Sequence, residues 1–203
     1  MSTEIASLAA LRELYAKPTG RTALKQLSAL DRHCERFIAL SPFVVLATSS
    51  ADGKADASPR GGVPGFVKVR DPLTLLIPDA PGNNRLDSLE NIVTTGQAGL
   101  LFMIPGVNET LRVNGKAVLS TDPADAAACT DERRTPRVVI RVTVEEAYLH
   151  CAKAFMRSGL WKPENQVARD ALPSMGRMMA DQTGIAGPTE TQEEMERRYE
   201  PLL

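Results

Sequence analysis

The sequence has no stretch approaching the ~20 uninterrupted apolar residues that a membrane-spanning helix needs. Its first residues, MSTEIASLAALREL, carry acidic side chains where a secretory signal would be basic, so a cytoplasmic protein is expected. Charge of one sign is also missing. A net charge of −1 gives no global basic field, which removes compositional support for nucleic-acid binding. Cysteines number three, Cys34, Cys129 and Cys151, an odd count at wide spacing that suits buried free thiols in a reducing compartment rather than a disulfide framework. With only His33 and His150 to join them and no C-x-x-C pair, no metal site is expected. The phosphate-loop pattern GxxxxGK[ST], the dinucleotide pattern GxGxxG and the nucleophile elbow GxSxG are absent. A hydrolytic Ser-His-Asp or Cys-His arrangement therefore has no sequence support.

What is present is a chain of ordinary globular composition, 43% hydrophobic and 24% charged. Apolar positions Ile5, Leu8, Leu11, Leu14 and Tyr15 predict an amphipathic helix before Pro18 and Gly20, and a second helix is expected from about Leu30 to Ala39 with Ser28 or Asp31 as cap. Strands follow at Phe43–Thr48 and Ala55–Ser58 around an Asp-Gly turn, then at Phe66–Val69 and Leu73–Ile77. A short helix is expected from Asn84 to Ile92. Two more strands, Ala98–Ile104 and Thr110–Ser120, precede a small helix over Thr121–Cys129 and a strong strand over Arg137–Val144 that runs on to Ala147–Leu149. Six to eight short strands with few helices between them predict a mainly β fold with peripheral helices, antiparallel and closed or partly closed into a barrel. There is no internal repeat and no second domain.

Three clusters could carry chemistry. Gly82-Asn83-Asn84-Arg85 at a helix start would bring backbone N–H groups, amide donors and a guanidinium to one anion; equally, Asn83 or Asn84 caps the helix and Arg85 is solvated. Arg60, between Ser58-Pro59 and Gly61-Gly62, stands where backbone can approach a flat ligand, or it is an exposed arginine at a barrel corner. Arg112, Asn114 and Lys116 alternate on one strand face, with Gly115 permitting a bulge. Near the end of the barrel region Lys153 and Arg157 share one side of a helical stretch before Trp161, an arrangement that covers a ring or merely packs.

In order, the segments DASPRGG, PD-x-x-GNNRLDSL-x-N, LRVNG-x-A and HCAKA-x-x-RS-x-LW resemble the pyridoxamine 5′-phosphate oxidase-like FMN-binding split barrels, over about residues 30–162. The resemblance implies a split β-barrel homodimer with FMN sites at the subunit interface, flanked by an N-terminal helical arm, 1–29, and a C-terminal extension, 163–203, packing on the barrel or the partner. It places Ser58, Pro59, Arg60 and Gly61 at the flavin ring. It places Ile77, Pro78 and Asp79 at the strand end leading to the phosphate, with Asn83, Asn84 and Arg85 in the phosphate corner. Arg112, Val113, Asn114 and Gly115 would lie on a neighbouring strand reaching the cofactor or the partner, and Lys153, Arg157 and Trp161 would close the ring pocket. The implied activity is transfer of hydride or electrons between bound FMN and a small-molecule substrate or nicotinamide donor. A non-catalytic flavin-binding, storage or sensor module, or a binder of a deazaflavin or haem, is the alternative. Two departures stand out: nothing after Trp161 matches the Arg-Leu-His segment with which pyridoxamine phosphate oxidases read their substrate, and the basic pair of the phosphate corner is here Asn84-Arg85 followed by Leu86.

Overall fold

Strand Phe43–Ser49 (β1) shows how the sheet is built: Val44, Leu46 and Thr48 are buried while Ala47 and Ser49 are exposed. The period of two, on β-branched and aromatic residues, gives one core face and one outer face. The same logic sets Ala55–Gly61 (β2), Lys68–Asp71 (β3), Thr74–Pro78 (β4), Gln97–Met103 (β5), Thr110–Ser120 (β6) and Val139–His150 (β7). In the computed structural model, which describes residues 3–185, 187 and 189–202, these seven strands form one antiparallel sheet in the order β2-β1-β5-β6-β7-β4-β3.

Helices Leu8–Leu14 (α1), Arg21–Leu24 (α2), Arg32–Leu40 (α3), Asp87–Thr95 (α4), Pro123–Ala128 (α5), Lys153–Ser158 (α6), Met175–Thr183 (α7) and Gln192–Tyr199 (α8) complete the described elements, with short 3-10 turns near the C-terminus. Asp31, one of the two caps expected from sequence, caps α3: its carboxylate accepts from the His33 and Cys34 backbone N–H groups. Helices α3 and α4 pack on the sheet, and their Cys34, Phe37, Ile38, Leu89 and Ile92 join Val44, Leu46, Leu75, Ile77, Leu100, Phe102, Val113 and Val142 in one core. Each fully buried aliphatic of this kind contributes about 1.5–3 kcal/mol.

Several sequence expectations shift. The strand placed at Phe66–Val69 begins at Lys68, because Phe66 and Val67 sit in a buried loop that Gly65, at φ +78°, brings against the Ala39 carbonyl. The stretches Arg137–Val144 and Ala147–Leu149 are one strand, β7, whose register slips between Asn114 and Gly115 of β6 so that Glu145 is the extra residue. That slip resets the inward alternation from Val144 to Ala147. Beyond it, Leu27 exchanges two backbone hydrogen bonds with Ala147 (2.9 and 2.8 Å), tying the N-terminal segment to the sheet. Of the three thiols expected to be buried, Cys34 and Cys129 are; Cys151 is exposed, because β7 has already left the core where it meets α6.

Candidate functional site

Strand β2, at one end of the strand order, reaches through Arg60 to the residue that follows β4. Along this strand Asp56, Ser58 and Arg60 are half-buried on the core-facing side, while Ala55, Ala57, Pro59 and Gly61 are exposed on the other. The strand is an edge strand pairing only with β1, a position that tolerates proline. Arg60 Nη1 donates to Asp79 Oδ1 (2.9 Å), one residue beyond β4, and the Asp79 backbone N–H donates to the Val138 carbonyl (3.0 Å). Further along β2, Asp56 Oδ2 accepts from Ser88 Oγ (2.5 Å) and Thr48 Oγ1 (3.2 Å), and Asn91 Nδ2 donates to Thr48 Oγ1 (3.0 Å). This network fixes the first turn of α4 against β1 and β2.

Between these two anchors runs the 79–88 connection. Asn84 is in the left-handed region, φ 60°, the only non-glycine residue with positive φ among those described. Asn83 Oδ1 accepts from the Arg85 backbone N–H (3.0 Å), forming a local turn. Helix α4 accordingly starts at Asp87, three residues later than the sequence suggested, with Leu86 as a cap residue that offers no side-chain acceptor. Neither asparagine caps it. Arg85 Nε donates to Asp87 Oδ2 (2.5 Å), and that hydrogen bond, with a smaller attraction from Asp56, makes the guanidinium hold its proton more tightly than usual.

The corner thus runs from Asp79, held by Arg60, to Arg85, held by Asp87, with Ser58 between Asp56 and Arg60 on β2 and Asn83 and Asn84 in the turn that presents Arg85. The side chain of Ile77 is fully buried in the core, and Pro78 pairs with Val139, so these two contribute by aiming Asp79. Within the corner Arg60 Nε is buried and has no hydrogen-bond partner among the described residues. A buried donor left unpaired is costly, and an acceptor supplied by a bound molecule would relieve it.

The remaining sequence-predicted residues lie elsewhere. Cross-strand register aligns Pro59, Val45, Leu101, Arg112 and Tyr148 in one row across the outer face, and Ala57, Ala47, Gly99, Asn114 and Glu146 in the next. Arg112 lies over the Tyr148 ring (5.4 Å), and Asn114 Nδ2 donates to Glu146 Oε2 (3.0 Å). An open groove of about 580 Å³ runs over Ala47, Gly99 and Asn114 on this face rather than at the Arg60–Arg85 corner. Pro59 therefore shares a face with Arg112 and Asn114, whereas Ser58 and Arg60 point to the other. Val113 is buried core, and Gly115 meets the β7 bulge. Trp161 Nε1 donates to the Val107 carbonyl (2.9 Å) in the β5–β6 turn and its ring stacks on Phe155 (5.5 Å). Lys153 and Arg157 are exposed, and among the described residues no hydrogen bond or ion pair joins them to the corner.

The sequence reading did not single out Asp56, Thr48, Ser88, Asn91 or Asp87. The period of two in Asp56-Ala-Ser58-Pro-Arg60 was a signal for the first; the partners on β1 and α4 are brought in only by the fold.

Comparison with solved structures finds HupZ of Group A Streptococcus (18% identical, 59% of this chain and 93% of that one, TM-score 0.49). It also finds a protein from Clostridium acetobutylicum related to general stress protein 26 of the pyridoxinephosphate oxidase family (10%, 58% and 85%, TM-score 0.45). A third is an FMN-binding protein from Syntrophomonas wolfei subsp. wolfei (12%, 60% and 88%, TM-score 0.42). No curated protein matches. The family model described as pyridoxamine 5′-phosphate oxidase matches residues 30–151, from the turn before α3 to the end of β7 and so through every strand of the sheet and the whole Arg60–Arg85 corner. The match spans more than half of the chain, and the protein belongs to the pyridoxamine 5′-phosphate oxidase family.

Proposed function

We propose that the protein is an FMN-dependent oxidoreductase, a homodimer of split β-barrels in which the flavin lies between the Arg60–Arg85 corner of one subunit and residues of its partner. The observation that carries this reading is the buried Arg60 Nε, without a hydrogen-bond partner among the described residues, on the same strand face as Ser58, in a chain of this family that also exposes Arg85. The corner fits a phosphate-bearing flavin. Arg85 and the amides of Asn83 and Asn84 would hold the phosphate, the β2 backbone with Ser58 and Arg60 would line the ring, and Asp79 would keep Arg60 in place.

When bound, the flavin supplies the hydride and electron chemistry itself. The chain's task is to bind and orient it, which suits a corner without a histidine or a nucleophile–base pair. Arg112 and Asn114 stand on the opposite face of the sheet from Ser58 and Arg60, so in this proposal they serve the partner's site or the interface. Lys153 and Arg157 on α6, with Trp161 at the β5–β6 turn, would close the ring pocket from the partner. The substrate is a small molecule or nicotinamide donor. The lack of the Arg-Leu-His segment argues against vitamin B6 oxidation, and the free cysteines suit the cytoplasm.

The purified protein should carry a flavin absorption spectrum or acquire one with added FMN, with a rise in melting temperature that follows FMN concentration. A colourless protein whose melting and tryptophan fluorescence ignore FMN would end this reading. Extraction and mass spectrometry identify a deazaflavin or haem if one is bound instead. A bound FMN that neither NADH, NADPH nor a reduced deazaflavin reduces would assign the protein to flavin storage or sensing.

A further inference from the structure

The two arginines of the corner are both engaged by aspartates, but in unlike surroundings. Arg60 and Asp79 are only 19% and 26% exposed, whereas Arg85 and Asp87 are 77% and 51% exposed. With Asp56 also bearing on Arg85, the corner holds three carboxylates against two guanidinium groups. A dianionic phosphate entering it meets guanidinium groups that each already have a carboxylate beside them, so its attraction to either is offset by an aspartate. Separating the half-buried pair would leave a partly desolvated charge unpaired, the larger penalty; the exposed pair is weak, screened and easily exchanged. Exchange therefore falls on Arg85. Asp87 also stands in the first turn of α4, where no side chain caps the helix, so its carboxylate and an incoming phosphate favour the same positive helix end.

We infer that Asp87 determines specificity at this site, competing with the flavin phosphate for the Arg85 guanidinium and so setting how far a phosphorylated flavin is preferred over its dephosphorylated form. The inference rests on the flavin reading above and adds to it a residue that weakens the cofactor's grip. No sequence pattern marks such a role, because an aspartate at the start of a helix is ordinarily a stabilising one.

Fluorescence titration with FMN and with riboflavin, on the native protein and on Asp87→Asn, Arg85→Ala and the double variant, provides the test. Asp87→Asn should tighten FMN about two- to five-fold, the range of an exposed ion pair, and leave riboflavin unchanged. The gain should shrink with added salt and vanish in the Arg85→Ala background. An unchanged FMN affinity, a parallel change for riboflavin, or a gain that survives Arg85→Ala overturns the inference. Equal binding of both flavins by the native protein, with Arg85→Ala harmless, also overturns it but leaves a flavin site in place. Failure of both flavins to bind the native protein removes the flavin reading itself. Asp87→Ser, which retains a helix-starting side chain without the charge, repeats the measurement should the asparagine form melt early.

Discussion

At the scale of single residues, the three thiols show how position outweighs residue type. Desolvation in the core pushes the Cys34 thiol up to about 11, and burial raises that of Cys129 as well. A thiol must ionise to react, so both are inert near neutral pH. Alkylation of the native protein should label Cys151 first, with Cys34 and Cys129 following only on unfolding; peptide mapping reads the order. A folded value of about 11 against an ordinary 9.0 also fixes a sign. Below about 9 the thiol is protonated in both states, and the contribution of its burial is fully present. As pH climbs from there toward 11 the unfolded chain gains by ionising, so that contribution is lost. Replacing Cys34 by alanine should flatten the alkaline limb of the stability profile, measured by urea unfolding against pH.

At the scale of elements, the crossing of β6 and β7 is where the sheet is least tolerant. Gly115 lies against the β7 bulge, and a Cβ there would overlap the Thr143 carbonyl oxygen and crowd the Glu145 backbone nitrogen. Backbone cannot give way as a side chain does. Gly115→Ala should cost about 1–3 kcal/mol, visible as a lower urea midpoint, although alanine is otherwise the gentler residue in a strand. The bulge also decides which β7 side chains face outward past Glu145, so the variant should disturb Glu146 and Tyr148 together. Their contacts with Asn114 and Arg112 make the outer cluster depend on this one glycine.

At the scale of the whole molecule, two surfaces carry apolar side chains that are partly or fully exposed. The outer row of Val45 and Leu101 joins Pro59 on β2 to Arg112 on β6, and the C-terminal segment is held by hydrogen bonds from Ser174, the cap residue of α7, to the Glu190 carbonyl and from Arg169 to Gln192 of α8. Leu172, Met175, Met179 and Ile185 of that segment are exposed. For the proposed homodimer the outer row is the seam to test, since it carries Pro59 and Arg112 on one face. Sedimentation equilibrium should give a dimer. Leu101→Arg, set in the middle of the row, should shift it toward monomer and weaken flavin binding in parallel; a dimer unaffected by the change would place the seam elsewhere.

By itself, the sequence determined where most of the strands lie. Alternation in FVVLATS, the turn chemistry of Asp52-Gly53 and the length of Thr110–Ser120 are local properties, and local physics suffices to read them. Ser58, Arg60, Asn84 and Arg85 could be singled out as candidates because their residue types suit an anion and a flat ligand. Tertiary structure alone decided the rest. Asp79 meets Arg60 and Ser88 meets Asp56 only because β2, β4 and α4, distant in sequence or in strand order, are packed together. The late start of α4 followed from the turn that Asn83 and a left-handed Asn84 make, a backbone choice that periodicity does not record. The placing of Arg112 and Asn114 on the opposite face from Ser58 followed from strand register, a pairing between distant segments that no single stretch of chain contains.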